Sequence, residues 1–214
     1  MNRIQVFVSG VMAGVCIATG GAAFLALENK VLGALFFVVG LFTICTFGFH
    51  LFTGKVCYVF ENDRRFAKDL LWIWLGNLAG CLAVAGLLTM TRVGAAFTDK
   101  AQSMADVKLG DGLLSVFILA MFCNMLIFVA VDGFRNNPHE LGKYLSLFFG
   151  VMVFILCGFE HCVANMFYIS MAHAWSGRAA VFILVNTAGN AVGGWVIPVA
   201  RRLMTQKKER ARIA

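Results

Sequence analysis

Charge is scarce in this chain, and proline is scarcer. Only 14% of its 214 residues are Asp, Glu, Lys or Arg, and two are proline, against about 25% charged in an ordinary soluble domain. With 60% hydrophobic residues, too little polar surface remains to cover a water-soluble globule, so lipid must solvate much of the chain. The seven cysteines (Cys16, Cys45, Cys57, Cys81, Cys123, Cys157, Cys162) contain no CxxC pair. Neither a zinc site nor a disulfide framework is indicated, and they read as small apolar packing residues. A cleavable leader is not expected, because Arg3 is the sole early charge and the apolar run from Ile4 outlasts a signal-peptide core. Nucleophile constellations, cofactor motifs and metal-ligand spacings are also missing, so neither an enzyme nor a bound cofactor is expected.

What the chain does have is long apolar runs. About 20 apolar residues cross a bilayer as a helix, and six such spans are predicted over residues 4–27, 31–60, 68–91, 113–131, 144–172 and 178–200. The fold class is therefore an all-α membrane protein in one transport domain. The second and fifth runs are too long for simple spans and carry polar residues near their middles. These are Gly48, His50, Thr53, Gly54 and Lys55 in the second, and Gly158, Glu160, His161 and Asn165 in the fifth. Unwound backbone at membrane depth survives only where protein or a water-filled cavity surrounds it, so both are expected to be broken helices.

The net charge of +7 does not argue for nucleic acid. Six cations (Arg201, Arg202, Lys207, Lys208, Arg210, Arg212) lie in the last fourteen residues, after the final apolar run, where a basic tail suits an anionic lipid surface. With both termini on one side, twelve Lys and Arg fall on that face and five (Lys30, Arg92, Lys100, Lys108, Arg178) on the other. The excess predicts cytoplasmic termini in a bacterial-type inner membrane.

The two halves also echo each other. Gly76-Asn77-Leu78-Ala79-Gly80 matches Gly189-Asn190-Ala191-Val192-Gly193, and the segment from Gly48 to Gly54 matches that from Gly158 to Ala164. An odd number of spans per half makes the second copy enter from the opposite side. The expectation is an inverted 3+3 repeat, with repeat one over about 1–92, repeat two over about 112–202 and the tail over 201–214. Such folds place the conduction site between two broken helices.

Ionisable groups at mid-membrane mark pathways, so Glu160 and His161 carry the sharpest signal. The imidazole can donate a hydrogen bond or a proton to a passing weak-acid anion, whereas Glu160 is also suited to tying down unwound backbone. Thr53 on the other break and Asn124 mid-span in the fourth run are the polar neighbours expected beside His161. Asn124 can bridge the two breaks or make a plain interhelical bond. Leu41, Leu51, Phe52, Ile127 and Phe154 are available for the apolar rings that exclude hydrated ions. The Gly-rich stretches of the third and sixth runs, with Gly10 and Gly14, read as packing seams.

Five strings resemble the formate–nitrite transporter family: Leu51-Phe52-Thr53-Gly54, Trp74 to Gly80, Cys123-Asn124, Gly158 to Phe167, and Gly189-Asn190. The resemblance implies an aquaporin-like protomer in a homopentamer, passing formate, nitrite, hydrosulfide or a related small anion, often with proton coupling. By position, His161 resembles the central pore histidine, Thr53 the threonine of the second-helix break and Asn124 the polar residue of helix four. Leu41 and Phe154 resemble the cytoplasmic-side constriction; Leu51, Phe52 and Ile127 resemble the periplasmic ring. The chain departs from the family at His50, where an acid is usual, and at Lys55, where an uncharged residue is usual. Those two either make the pathway more cationic or pair with Glu160 or backbone. A hydrosulfide channel of the same fold, and a membrane-embedded enzyme or structural subunit, are the alternative readings.

Overall fold

The computed structural model describes residues 2–213, with side chains to residue 205. Among the described residues the chain is helical throughout. In order come α1 (Arg3–Ala26), α2 (Lys30–Phe47), α3 (Phe52–Val56), a 3-10 turn (Val59–Glu61), α4 (Arg64–Thr89) and α5 (Gly94–Gly110). Then follow α6 (Leu113–Asn136), α7 (Glu140–Leu156), α8 (Cys162–Met171) and α9 (Gly177–Ile213). Five of these, α1, α2, α4, α6 and α9, are long and apolar enough to cross a membrane, and α8 is a shorter apolar helix.

Polar caps set the starts. The Asn29 side chain accepts from the Val31 and Leu32 amides to open α2, and Asp63 accepts from Phe66 to open α4, filling orphan donors of the first turn. Two boundaries differ from expectation. Residues 94–110, read from sequence as a loop, form α5, in which buried Ala101 and Ala105 recur at helical spacing and which packs chiefly on α8. The last helix runs beyond residue 200 as far as Ile213. The side chains of Lys207, Lys208, Arg210 and Arg212 lie outside the described residues.

The helices pack in matched pairs: α1 on α4 as α6 on α9, and α1 on α2 as α6 on α7, with α2 also against α7 and α4 against α8. Small residues make the closest crossings. A Cβ on Gly14 would sit 2.2 Å from the Asn77 carbonyl oxygen, and one on Gly193 would sit 2.0 Å from that of Met121. Backbones meet directly there, as expected of membrane seams packed without hydrophobic driving force.

Gly48 ends α2 with φ +71°, and Gly158 follows α7 with φ +72°. Both are left-handed conformations that glycine adopts without a Cβ penalty. Phe49 N–H then donates to Ile44 O and Phe159 N–H to Phe154 O, at 3.1 and 2.9 Å.

The non-helical residues that follow leave backbone groups to satisfy, and one asparagine serves each. Asn77 Oδ1 accepts from Phe52 N–H (2.9 Å), while its Nδ2 donates to the carbonyls of Gly10 (2.8 Å) and His50 (3.0 Å). Asn190 Oδ1 accepts from Cys162 N–H (2.9 Å), and its Nδ2 donates to Ala120 O and Glu160 O, both at 2.8 Å. Each side chain is fully buried. In a water-free interior such groups must be paired within the protein, so these asparagines have a task beyond the packing role read from sequence.

Candidate pore site

His161 and Thr53 meet at the centre. Thr53 Oγ1 lies 2.9 Å from His161 Nε2, although 108 residues separate them. Both side chains are buried, at 0% and 2% exposure. His161 also caps α8, its Nδ1 accepting from the Ala164 amide at 3.1 Å. A backbone N–H can only donate, so Nδ1 is an acceptor and the neutral ring carries its proton on Nε2. That proton points at Thr53 Oγ1, which leaves the threonine hydroxyl hydrogen free for another acceptor. Phe154 stacks on the imidazole at a centroid distance of 5.6 Å.

Asn124 supports this pair from one side. Its Nδ2 donates to Thr53 O at 3.1 Å and lies 3.7 Å from Cys57 Sγ. Both partners belong to α3 or its C-terminal cap, and among the described residues its side chain bonds nothing in the second non-helical segment. Its buried Oδ1 has no partner among the described residues.

Two cavities flank the centre. One, of about 410 Å³, is lined by Lys30, Phe37, Lys108, Phe154, Glu160 and His161 among others. The other, of about 210 Å³, is lined by Leu41, Leu51, Gly54, Lys55 and Arg135 among others. Phe37 and Leu41 lie one turn apart on α2 yet border different cavities, about 6 Å apart along the axis. The His161–Thr53 contact falls between them.

The apolar residues expected in the rings divide between these cavities. Phe154 belongs with Phe37, against which it packs edge-on at 6.0 Å, on the Lys108 side. Leu51 belongs with Leu41 on the Lys55 side. Sequence order along each helix does not reveal which residues face each other across the centre. Phe52 and Ile127 are buried at 7% and 2% exposure and border neither cavity among the described residues.

Glu160 pairs with neither His50 nor Lys55. Its Oε2 accepts from Lys108 Nζ and from Asn165 Nδ2, both at 2.6 Å. Lys108, which sequence reasoning took for an outer-loop cation, arrives from the last turn of α5; it was missed because α5 was. Phe37 was missed too, although its place one turn before Leu41 was a usable signal. Lys55 borders the 210 Å³ cavity and a neighbouring one of about 250 Å³, which His50, Arg65 and Asp69 also line.

The profile of the family described as Formate/nitrite transporter matches residues 1–202. The chain is 31% identical to the uncharacterized transporter YrhG of Bacillus subtilis over 201 residues, covering 86% of this chain and 75% of that protein. It is 30% identical to the formate channel BtFdhC of Bacillus thuringiensis (77% and 69% covered) and 26% identical to the formate channel FocA of Haemophilus influenzae (77% and 65%). It therefore spans about two thirds to three quarters of these relatives' length. In fold it is similar to a solved pentameric formate channel with formate bound, at a TM-score of 0.80 and 21% identity over 95% of this chain and 97% of that one. It is likewise similar to an FNT family ion channel at 0.81 and 24%, over 92% and 88%.

Proposed function

This chain belongs to the formate/nitrite transporter family, and on that premise we propose that it conducts small monovalent anions such as formate or nitrite through a pore in each protomer. The observation that carries the reading is the buried His161–Thr53 contact, set beside two cavities whose linings draw on opposite ends of α2. A permeant passing this point meets hydrogen-bond donors, with aromatic and aliphatic walls on either side.

The walls shape the mechanism. Moving a bare anion into a hydrocarbon-like ring costs tens of kcal/mol in the idealised limit. A weak acid avoids most of that by crossing as its neutral form. His161 is already committed at Nδ1 to the Ala164 amide, so a second ring proton would break the helix cap. The imidazole therefore acts as a neutral hydrogen-bond donor, and the permeant takes its proton from water in the cavity. Lys30 beside one cavity and Lys55 beside the other place positive charge there, drawing anions to the point where protonation occurs.

The full reading is a homopentamer in a bacterial inner membrane with cytoplasmic termini, as the Lys and Arg distribution favours. The structural relative described as pentameric supports the assembly. Fluxes of formate, nitrite and hydrosulfide into proteoliposomes test the function. The weak-acid route predicts a flux that climbs by up to about tenfold per pH unit as pH falls. A flux flat from pH 8 to 5 with the proton gradient collapsed removes the protonation step, and a preference for hydrosulfide replaces the carboxylate reading.

A further inference from the structure

The two non-helical segments carry opposite chemistry at matched positions. Two residues after Gly158 stands Glu160, whose carboxylate is held by Asn165 and Lys108 at 2.6 Å each. Counted from Gly48 in the same register, the place of Glu160 is taken by His50 and the place of Asn165 by Lys55. The first segment thus has an imidazole where the second has a carboxylate, and an ammonium where the second has that carboxylate's amide donor.

Among the described residues no acid pairs with Lys55 or Arg135. Lys55 takes part in no ion pair or side-chain hydrogen bond among the described residues, and Arg135, on the wall of the same 210 Å³ cavity, takes part in no ion pair among them. The Arg135 guanidinium lies 5.1 Å from the Tyr58 ring centroid. The nearby carboxylate of Asp132 is committed to Arg201 (2.8 Å) and Asn136 (2.7 Å). Asp69 lines the adjoining pocket with Lys55 but forms no ion pair with it. His50 Nδ1 is buried without a partner among the described residues. Lys55 is half-buried and Arg135 exposed, so two like charges face one cavity, with the His50 ring nitrogen beside Lys55 in the adjoining pocket. An anion entering between the two cations offsets their mutual repulsion.

We propose that the cavity between Lys55 and Arg135 is an anion-holding site, in which a small carboxylate-like anion takes the place that the Glu160 carboxylate occupies in the other half. The planar Arg135 fork suits two-oxygen recognition and Lys55 adds a point charge. The site makes the two ends of the path unequal: at the Lys108 end the protein supplies its own carboxylate, and at the Lys55 end the permeant does. The proposal rests on the conduction reading for its role in transport, but not for the binding itself.

Formate carries a single carbon-bound proton, so saturation transfer in proton NMR reports its binding to the purified full-length protein in detergent. The expected result is a dissociation constant about fivefold or more higher in Lys55→Asn than in wild type. His50→Glu, which restores an internal carboxylate beside Lys55, should raise it similarly. In right-side-out and inside-out membrane vesicles, the half-saturating formate concentration should rise in both variants at one face only. Unchanged dissociation constants in both well-folded variants overturn the proposal, as does an equal rise at both faces. If wild-type vesicles carry no formate while the binding responds as stated, the conduction reading fails and the site stands.

Discussion

Removing one partner of the Lys108–Glu160 pair should damage the fold more than removing both. Lys108 Nζ and Glu160 Oε2 are 2.6 Å apart, with side chains 15% and 6% exposed. Breaking a buried pair by truncating one member costs about 3–5 kcal/mol, because an uncompensated charge is left behind. The 410 Å³ cavity beside this pair can admit water, so the lower figure of about 3 kcal/mol applies to Lys108→Met or Glu160→Gln alone. In Glu160→Gln the new amide oxygen still accepts from Asn165, which limits the loss further in that variant. In the double variant no charge is stranded, and the total should stay within about 2 kcal/mol of wild type. The coupling energy is then several kcal/mol and far from additive. At about 2–4 °C per kcal/mol for a chain of this size, Lys108→Met melts about 6–12 °C below wild type, Glu160→Gln falls less, and the double variant melts above both. Tryptophan fluorescence in detergent at a fixed scan rate reads the order. A double variant that melts lower than either single one refutes the reasoning, since the pair would then contribute as two independent contacts.

Other outcomes follow from the same geometry. Asn77→Ala and Asn190→Ala each remove three buried hydrogen bonds, at about 1 kcal/mol apiece; matched losses of about 3 kcal/mol in thermal melts are expected, and a large mismatch would contradict their equivalent roles. Gly193→Ala puts a Cβ 2.0 Å from the Met121 carbonyl oxygen, whereas Gly86 has nothing within 4 Å. The first should therefore lose about 1–3 kcal/mol, and Gly86→Ala should gain about 0.4–1 kcal/mol, as read by melting temperature. Thr53→Val keeps the volume but removes the hydroxyl beside His161; stopped-flow formate flux should fall about tenfold, a barrier increase of about 1.4 kcal/mol, with the oligomer intact on gel filtration.

The parts legible in the sequence are those encoded by local composition. Apolar runs disclosed the membrane helices, and the strings around Thr53, Asn124 and His161 disclosed the family. What stayed hidden depends on distance in space. α5 is neither apolar enough for a span nor polar enough to stand apart from a loop, and with it went Lys108, which meets Glu160 from 52 residues away. The grouping of Phe154 with Phe37 and of Leu51 with Leu41 depends on how α2 and α7 cross, which no spacing along one helix specifies. The glycine seams were visible, but the asparagines within them were read as packing. Their targets, the backbone groups of His50, Phe52, Glu160 and Cys162, become orphans only once the helices stop.

The central claim is that the permeant passes His161. Formate flux into proteoliposomes, compared for wild type, His161→Asn and protein-free vesicles at one acidic pH, tests it most directly. Rapid wild-type flux is expected, with a drop of at least about tenfold in His161→Asn, whose shorter amide no longer spans to Thr53 Oγ1 and so breaks the paired donors that meet the permeant. Equal flux in wild type and His161→Asn, both well above protein-free vesicles, would mean that the anion takes a path that avoids this histidine.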